Sequence, residues 1–416
     1  MVWPVPPWSQ RQCTRDTLSC SSHGACNAEG TCICDENYYG SMLGLPCDTF
    51  CDGEIKEDTG VCHSNRKFYI GGLVDFESID KDETIATMNF AVDLINNYTD
   101  DWFDTTRQVT LVLNIADSMC SRTGGDAAAR WLNDWAISTS EGGTTLDGYI
   151  GATCSDASIG ASRFGNTIIA SQIAFGSTST VLADKDEYIY FARTCFADDS
   201  QGQLLADALD DVGLVPFIAV ISTSDSYAQS LSFSIIENYQ AKGHIVLLNY
   251  QFTPVDNETA VYTQILDEIA ASGAPVTVLV MYADEVELLL AAVAEHPVYK
   301  YDTMVWVGIE MWVNVKGPWN KKGMVGLKPY VPSTNITASY MDLWANLNPA
   351  EFIDSDGDRS SLGSNTLYVA DAVFALAQAF QKVTGSETGS SGDALKREVF
   401  THITNDVEFK GKLTLH

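Results

Sequence analysis

From Phe68 onward, apolar runs rich in β-branched residues alternate with segments whose apolar positions recur every three or four residues. A repeated switch of period from 2 to 3.6 leaves few folds open. FYIGGLVDF reads as a strand, and Asp82 to Asn97 as a helix with Ile85, Met88, Val92 and Ile95 on one face. QVTLVLNIAD and GYIGA are strands flanking a helix from Asp126 to Ala136. Further on, helices Gln203–Val212, Tyr227–Tyr239, Tyr262–Ala271 and Asp284–Glu295 precede the strands PFIAVIS, HIVLLNYQF, VTVLVMY and MVWVGIE. Neighbouring parallel strands need a crossover and helices supply it, so this pattern predicts parallel sheets covered on both faces.

About nine strands precede residue 312, more than one such sheet needs. The economical α/β solution is two Rossmann-like lobes joined by a hinge, the chain crossing near Arg193 and again after Trp312. On this reading residues 67–193 and 320–390 form lobe 1, and residues 194–312 and 395–416 form lobe 2. A helix at Thr366–Val383, with Val369, Val373, Leu376 and Phe380 on its apolar face, returns to lobe 1, and the Gly/Ser-rich piece at 384–392 is a loop.

The stretch from Leu146 to Ser200 concentrates the candidate chemistry. A strand ends at Gly151, a turn of small residues follows, and Ser155 stands where a helix starts, with Ala157, Ala161, Phe164 and Ile168 at helical spacing. A second strand runs into the hydroxyl cluster Ser177-Thr178-Ser179-Thr180. Both sets project from the carboxyl ends of parallel strands, where open α/β sheets bind ligands. Free N–H groups at a helix start, joined by two hydroxyls, are suited to an anion such as a carboxylate. The pattern points to a binding cleft, not a catalytic one.

With 24 basic against 55 acidic residues, a formal charge of −31, the chain is a poor partner for nucleic acid or an anionic membrane surface. Eleven cysteines and N-x-T sequons at Asn97, Asn257 and Asn335 favour a secreted, glycosylated protein. No apolar run reaches the ~20 residues of a membrane helix, and MVWPVPPWSQ holds no signal-peptide core. Cys51 and Cys62 flank an acidic loop within a linker at 48–66 and are expected to close on each other. The acidic run DSDGDRSSLG at 354–363 has Gly at its fourth place and no closing Glu at its twelfth, so it reads as a solvated turn and not a calcium loop. GxSxG, HExxH, P-loop and GxGxxG motifs are absent and the six histidines are scattered, so neither enzyme, cofactor nor metal site is expected.

After an extension at 1–12, residues 13–47 carry the spacing C-x6-C-x5-C-x5-C-x-C-x12-C with HGAC and GTCIC, and resemble an EGF-like module. The resemblance implies the pairs Cys13–Cys26, Cys20–Cys32 and Cys34–Cys47. Gln10-Arg11-Gln12 before Cys13 depart from the calcium-binding subtype. From Phe68 to the end, GATCSDAS, QIAFGSTSTVLADKDEYIYFART, SDSYAQS, VLVMYADE, WVGIEMW, VADAVFALAQAF and VEFKGKL resemble, in order and spacing, the type I periplasmic-binding or Venus-flytrap ligand-binding region. Type B GABA receptors, metabotropic glutamate receptors and natriuretic-peptide receptor guanylyl cyclases share that region.

That resemblance implies several expectations. The chain looks like a receptor ectodomain on the extracellular face of the plasma membrane, followed by a membrane domain outside this chain and dimerising through lobe 1. Cys120 would pair with Cys154, leaving Cys195 a buried, inert thiol. A ligand carboxylate would lie on Ser155 and Thr178, and an ammonium group on Asp198, Tyr227 and Glu310, with Tyr282 packed on the ligand and Trp312 a possible wall. Asp156, where relatives carry Ser or Gly, would repel a carboxylate and keeps an amine ligand in play. The leading function is closure of two lobes on a small amino-acid-like or amine ligand. The alternative is a module of the same fold whose degenerate cleft serves dimerisation or holds a peptide hormone.

Overall fold

The computed structural model describes residues 62–78, 80–97, 107–211, 213, 217–254, 259–296, 304–310, 324–327, 334–347, 364–384 and 392–406, with short strands between Gly24 and Ile55. Among the latter, Gly24–Cys26 pairs antiparallel with Cys32–Cys34, and Tyr38–Tyr39 with Thr49–Phe50. The disulfides expected within residues 13–62, Trp312, Asn257 and the acidic run at 354–363 lie outside the described residues.

The first sheet contains β1 (Cys62–Val74), β2 (Arg107–Asp117), β3 (Gly148–Ile150), β4 (Ser171–Ala174) and β5 (Phe191–Arg193). These five run in the order β2-β1-β3-β4-β5, all parallel, and the short strand Glu54–Ile55 adds antiparallel to the start of β1. Helices α1 (Lys81–Asn97), α2 (Arg122–Thr139) and α3 (Ser155–Ile168) are the crossovers. After β5 the chain enters α4 (Asp198–Asp211) and a second sheet. This holds β6 (Phe217–Thr223), β7 (Ile245–Phe252), β8 (Val276–Val280), β9 (Val305–Gly308) and β10 (Met324–Gly326), ordered β7-β6-β8-β9-β10 and again all parallel. Helices α5 (Ser226–Ala241), α6 (Thr259–Ser272) and α7 (Ala283–Glu295) connect them. The two sheets thus repeat one doubly wound order, each with a switch point beside its first strand. The predicted two-lobed α/β fold is present.

The first crossing falls between Arg193 and Asp198, where it was expected. The second follows Trp312 but comes later than the expected return to lobe 1 at 320: β10 still pairs with β9 in the second sheet, so the return comes after Leu327. Helices α8 (Asn335–Ala345) and α9 (Ser364–Thr384) then join the first lobe. Tyr340, Trp344, Phe374 and Phe380 are fully or almost fully buried there, and Phe380 stacks on Phe68 of β1 at 4.0 Å. The last helix, α10 (Asp393–Thr401), was expected on lobe 2 and instead packs on lobe 1. Leu395 and Val399 enter the first core, and the buried Lys396 ammonium donates to Thr145 Oγ1 (2.6 Å) and to the carbonyls of Leu146 (2.5 Å) and Ile168 (3.3 Å). A buried ammonium must be surrounded by acceptors, and only the first lobe offers this set.

Candidate functional site

Loops that leave the carboxyl ends of four strands in each sheet contribute to one cleft. Asp80 follows β1, Ser155 follows β3, Thr178 follows β4 and Cys195 follows β5. From the other lobe Tyr227 follows β6, Tyr282 follows β8, Glu310 follows β9 and Leu327 follows β10. Together with Phe175, Phe196, Gln201, Leu204, Tyr368 and Val369 they enclose a cavity of about 510 Å³, within the range of small-molecule sites.

Local chemistry sets each side chain. The Ser155 hydroxyl begins α3 and accepts the Ser179 N–H at 3.1 Å, which fastens the hydroxyl loop to the helix start. The Cys120–Cys154 disulfide, with Cα atoms 5.2 Å apart, ties the loop before α2 to the residue before α3. α2 and α3 nearly touch. A Cβ on Gly125 would lie 2.0 Å from the Ala157 carbonyl oxygen, and one on Gly160 2.0 Å from that of Arg122. In the second lobe Asp225 caps α5 by accepting from the Tyr227 and Ala228 N–H groups, and the Tyr227 ring lies 5.4 Å from that of Tyr282. The Tyr227 hydroxyl donates to Glu310 Oε1 at 2.9 Å, and Gln201 donates to Oε2.

The carboxylates are costly where they stand. Asp198 has no exposed surface, and neither carboxylate oxygen has a hydrogen-bond partner in good geometry. Burial pushes its pKa up to about 7, with Glu310 adding to the rise, against the pull of the nearby Thr178 and Ser230 hydroxyls and Arg193. Burial also raises Glu310, opposed by its bonds from Gln201 and Tyr227. The Thr178 hydroxyl is likewise buried without a partner in good geometry. Asp156 is different. Its burial is outweighed by hydrogen bonds from Ser226 and Arg122, which hold its pKa below the usual value.

Those bonds join the lobes. Asp156 Oδ1 accepts from Arg122 Nε at 2.6 Å and from the Ser226 hydroxyl at 2.7 Å, while Arg122 Nη2 donates to the same hydroxyl at 2.7 Å. Nearby, the Thr180 N–H of lobe 1 donates to Ser230 Oγ of α5 at 2.9 Å. Residues 85–414 match the family described as receptor family ligand binding region. The chain belongs to that family. Among curated proteins it is similar to G-protein coupled receptor family C group 6 member A of Carassius auratus, 25% identical over 172 residues, covering 40% of this chain and 19% of that receptor. It is also similar to metabotropic glutamate receptor 4 of Mus musculus, 20% identical over 171 residues, 41% of this chain and 18% of that protein. The match to the Rattus norvegicus receptor of the same name has the same identity and coverage. The chain thus spans less than a fifth of the length of these relatives.

In this receptor ligand-binding region, five of the six predicted ligand residues line the cavity: Ser155, Thr178, Tyr227, Tyr282 and Glu310. Asp198 is not on its wall but stands buried beside Thr178. Asp156 faces the opposite lobe and not the cavity. The expected Cys120–Cys154 bridge is present, and Cys195 is a free thiol that lines the cavity, its pKa pushed up by burial to about 12. Asn97 is exposed at the end of α1. Sequence reasoning missed Gln201, although it falls one helical turn after Asp198, and it missed Arg122, whose partners are 34 and 104 residues away. Among the described residues no helix is long and apolar enough to cross a membrane.

Proposed function

We propose that this chain is the extracellular ligand-binding region of a membrane receptor, closing two lobes on a small amino-acid-like or amine ligand and passing that closure to a membrane domain. The observation that carries this reading is the cavity into which the strand ends of both sheets converge, bridged at its lip by Arg122, Asp156 and Ser226. Asp198 and Glu310 attract the ligand's ammonium group, Tyr227 positions Glu310, Tyr282 packs on the ligand, and Ser155 and Thr178 offer hydroxyls from the first lobe. Each charge-assisted hydrogen bond contributes roughly 1.5–3 kcal/mol. A few of them, less ordering costs, give micromolar binding at about −8 kcal/mol. The family description and the class C receptor names of the relatives support binding without catalysis. The EGF-like module, dimerisation through the first lobe and glycans on Asn97, Asn257 and Asn335 belong to the same reading.

Closure acts by shifting a pre-existing open/closed equilibrium, so a ligand must bind the closed form better than the open one. Thermal unfolding and small-angle scattering across a panel of amino acids and amines test this. A ligand at one hundred times its Kd stabilises the folded chain by ~2.7 kcal/mol and contracts it, and Glu310→Gln abolishes the effect. A panel that leaves both the unfolding midpoint and the radius of gyration unchanged means that the cleft is degenerate.

A further inference from the structure

The cavity has acids and aromatic rings but, among its described lining residues, no Lys, Arg or His. Arg193, the nearby cation, is outside that lining, and its Nη1 donates to the carbonyls of Ser177 and Ser179 at 3.0 and 2.9 Å. A ligand carboxylate would therefore meet uncharged donors alone, the hydroxyls of Ser155 and Thr178 among them, and no cation of the described lining. The Thr178 hydroxyl stands beside the Asp198 carboxylate, so a second anion there would be repelled by it. An ammonium group meets the reverse situation. Asp198 is buried behind the wall beside Thr178 with neither oxygen in a hydrogen bond of good geometry, Glu310 and Asp80 are in the wall, and the paired rings of Tyr227 and Tyr282 offer faces to a cation. In the same wall Phe175, Tyr368 and Val369 suit an apolar body, and the exposed side chains of Phe196 and Leu204 continue that surface to the rim. Asp207, the other acid in the lining, already holds Lys242 at 2.6 Å.

We infer that this cleft selects a net-cationic amine with a ring-sized apolar body and no carboxylate, discriminating against the amino acid of the same side chain. The inference rests on the proposed two-lobe binding function and specifies its ligand class. Hydroxyls at both first-lobe positions remain compatible with such a ligand, because each can accept from the ammonium group or from a phenolic hydroxyl. Binding a cation beside Asp198 favours its ionised form, so protons leave as the amine enters near neutral pH. The titratable and charged groups that face Asp198 are Glu310, Arg193, Cys195, Tyr227 and Tyr282.

Titration calorimetry of the whole chain with phenethylamine and tyramine, set against L-phenylalanine, L-tyrosine and L-glutamate, decides the matter. The expected result is at least ten-fold tighter binding of each amine than of its amino acid, with proton release at pH 7 seen as a dependence of the heat on buffer ionisation. Asp198→Asn should weaken amine binding at least ten-fold and remove the proton release. The buffer comparison on the unaltered chain keeps the test valid if that variant does not fold. Equal or tighter binding of an amino acid overturns the inference while leaving the two-lobed receptor reading in place. Binding by none of the five compounds overturns the inference and counts against that reading as well.

Discussion

At the scale of single residues, Asp198 carries free energy that folding does not recover. Its folded pKa, about 7, lies above the ordinary value of 3.8. The folded state therefore binds the proton more tightly than the unfolded chain, and ionisation opposes folding. The penalty is absent below about pH 4, grows between about pH 4 and 7, and is constant above that, reaching on the order of 4 kcal/mol. Asp198→Asn should then raise the unfolding midpoint at pH 8 and change it little at pH 4, which paired melting curves will show. A midpoint unaffected at both values would mean that Asp198 is solvated in the folded chain. Tyr227→Phe removes one of the two donors to Glu310 and should cost roughly 1–3 kcal/mol in urea unfolding, since a buried carboxylate is left short of a partner.

Among elements, the approach of α2 to α3 and the docking of α10 are the contacts most exposed to single changes. A methyl group on Gly160 would collide with backbone, which cannot swing away as a side chain can. Gly160→Ala should cost about 1–3 kcal/mol in denaturant unfolding and displace Arg122 from Asp156. A variant as stable as the parent would show that the two helices slide freely. For α10, Lys396→Met deletes the ammonium that answers the carbonyls of Leu146 and Ile168, at roughly 1–3 kcal/mol per oxygen left unsatisfied. Hydrogen exchange should then speed up in α10 and at the end of α3. Exchange confined to its original rate would assign the anchoring to Leu395 and Val399 alone.

Across the whole molecule, the lobes are held together by the Arg122–Asp156–Ser226 bridge and the Thr180–Ser230 contact. Arg122 is more than half exposed, so the ion pair itself is screened and contributes ~1 kcal/mol or less. Asp156→Ala should therefore shift the open/closed balance by up to about five-fold, visible as a larger radius of gyration and a correspondingly weaker ligand. An unchanged scattering profile would make the bridge a passive lip contact.

The alternation of apolar periods made the two α/β lobes legible in advance, because helices and strands that bury one side must repeat their apolar residues at fixed intervals. The helix from Asp82 to Asn97 begins within a residue of its structural start, and the strand VTVLVMY contains β8. Ser155 and Thr178 were readable for a related reason, since strand ends in parallel sheets point to one edge and both follow a strand, whereas Tyr227, Tyr282 and Glu310 came from the resemblance to the ligand-binding region. The switch of α10 to the first lobe was not readable, since this helix is placed by Lys396 and oxygen acceptors more than two hundred residues away in the chain. Nor was the burial of Asp198 or the pairing of Asp156 with Arg122 and Ser226. Local sequence determines which way a side chain leaves its element; whether it then meets solvent, a cavity or the opposite lobe depends on contacts between segments a hundred residues apart, which only the folded chain brings together.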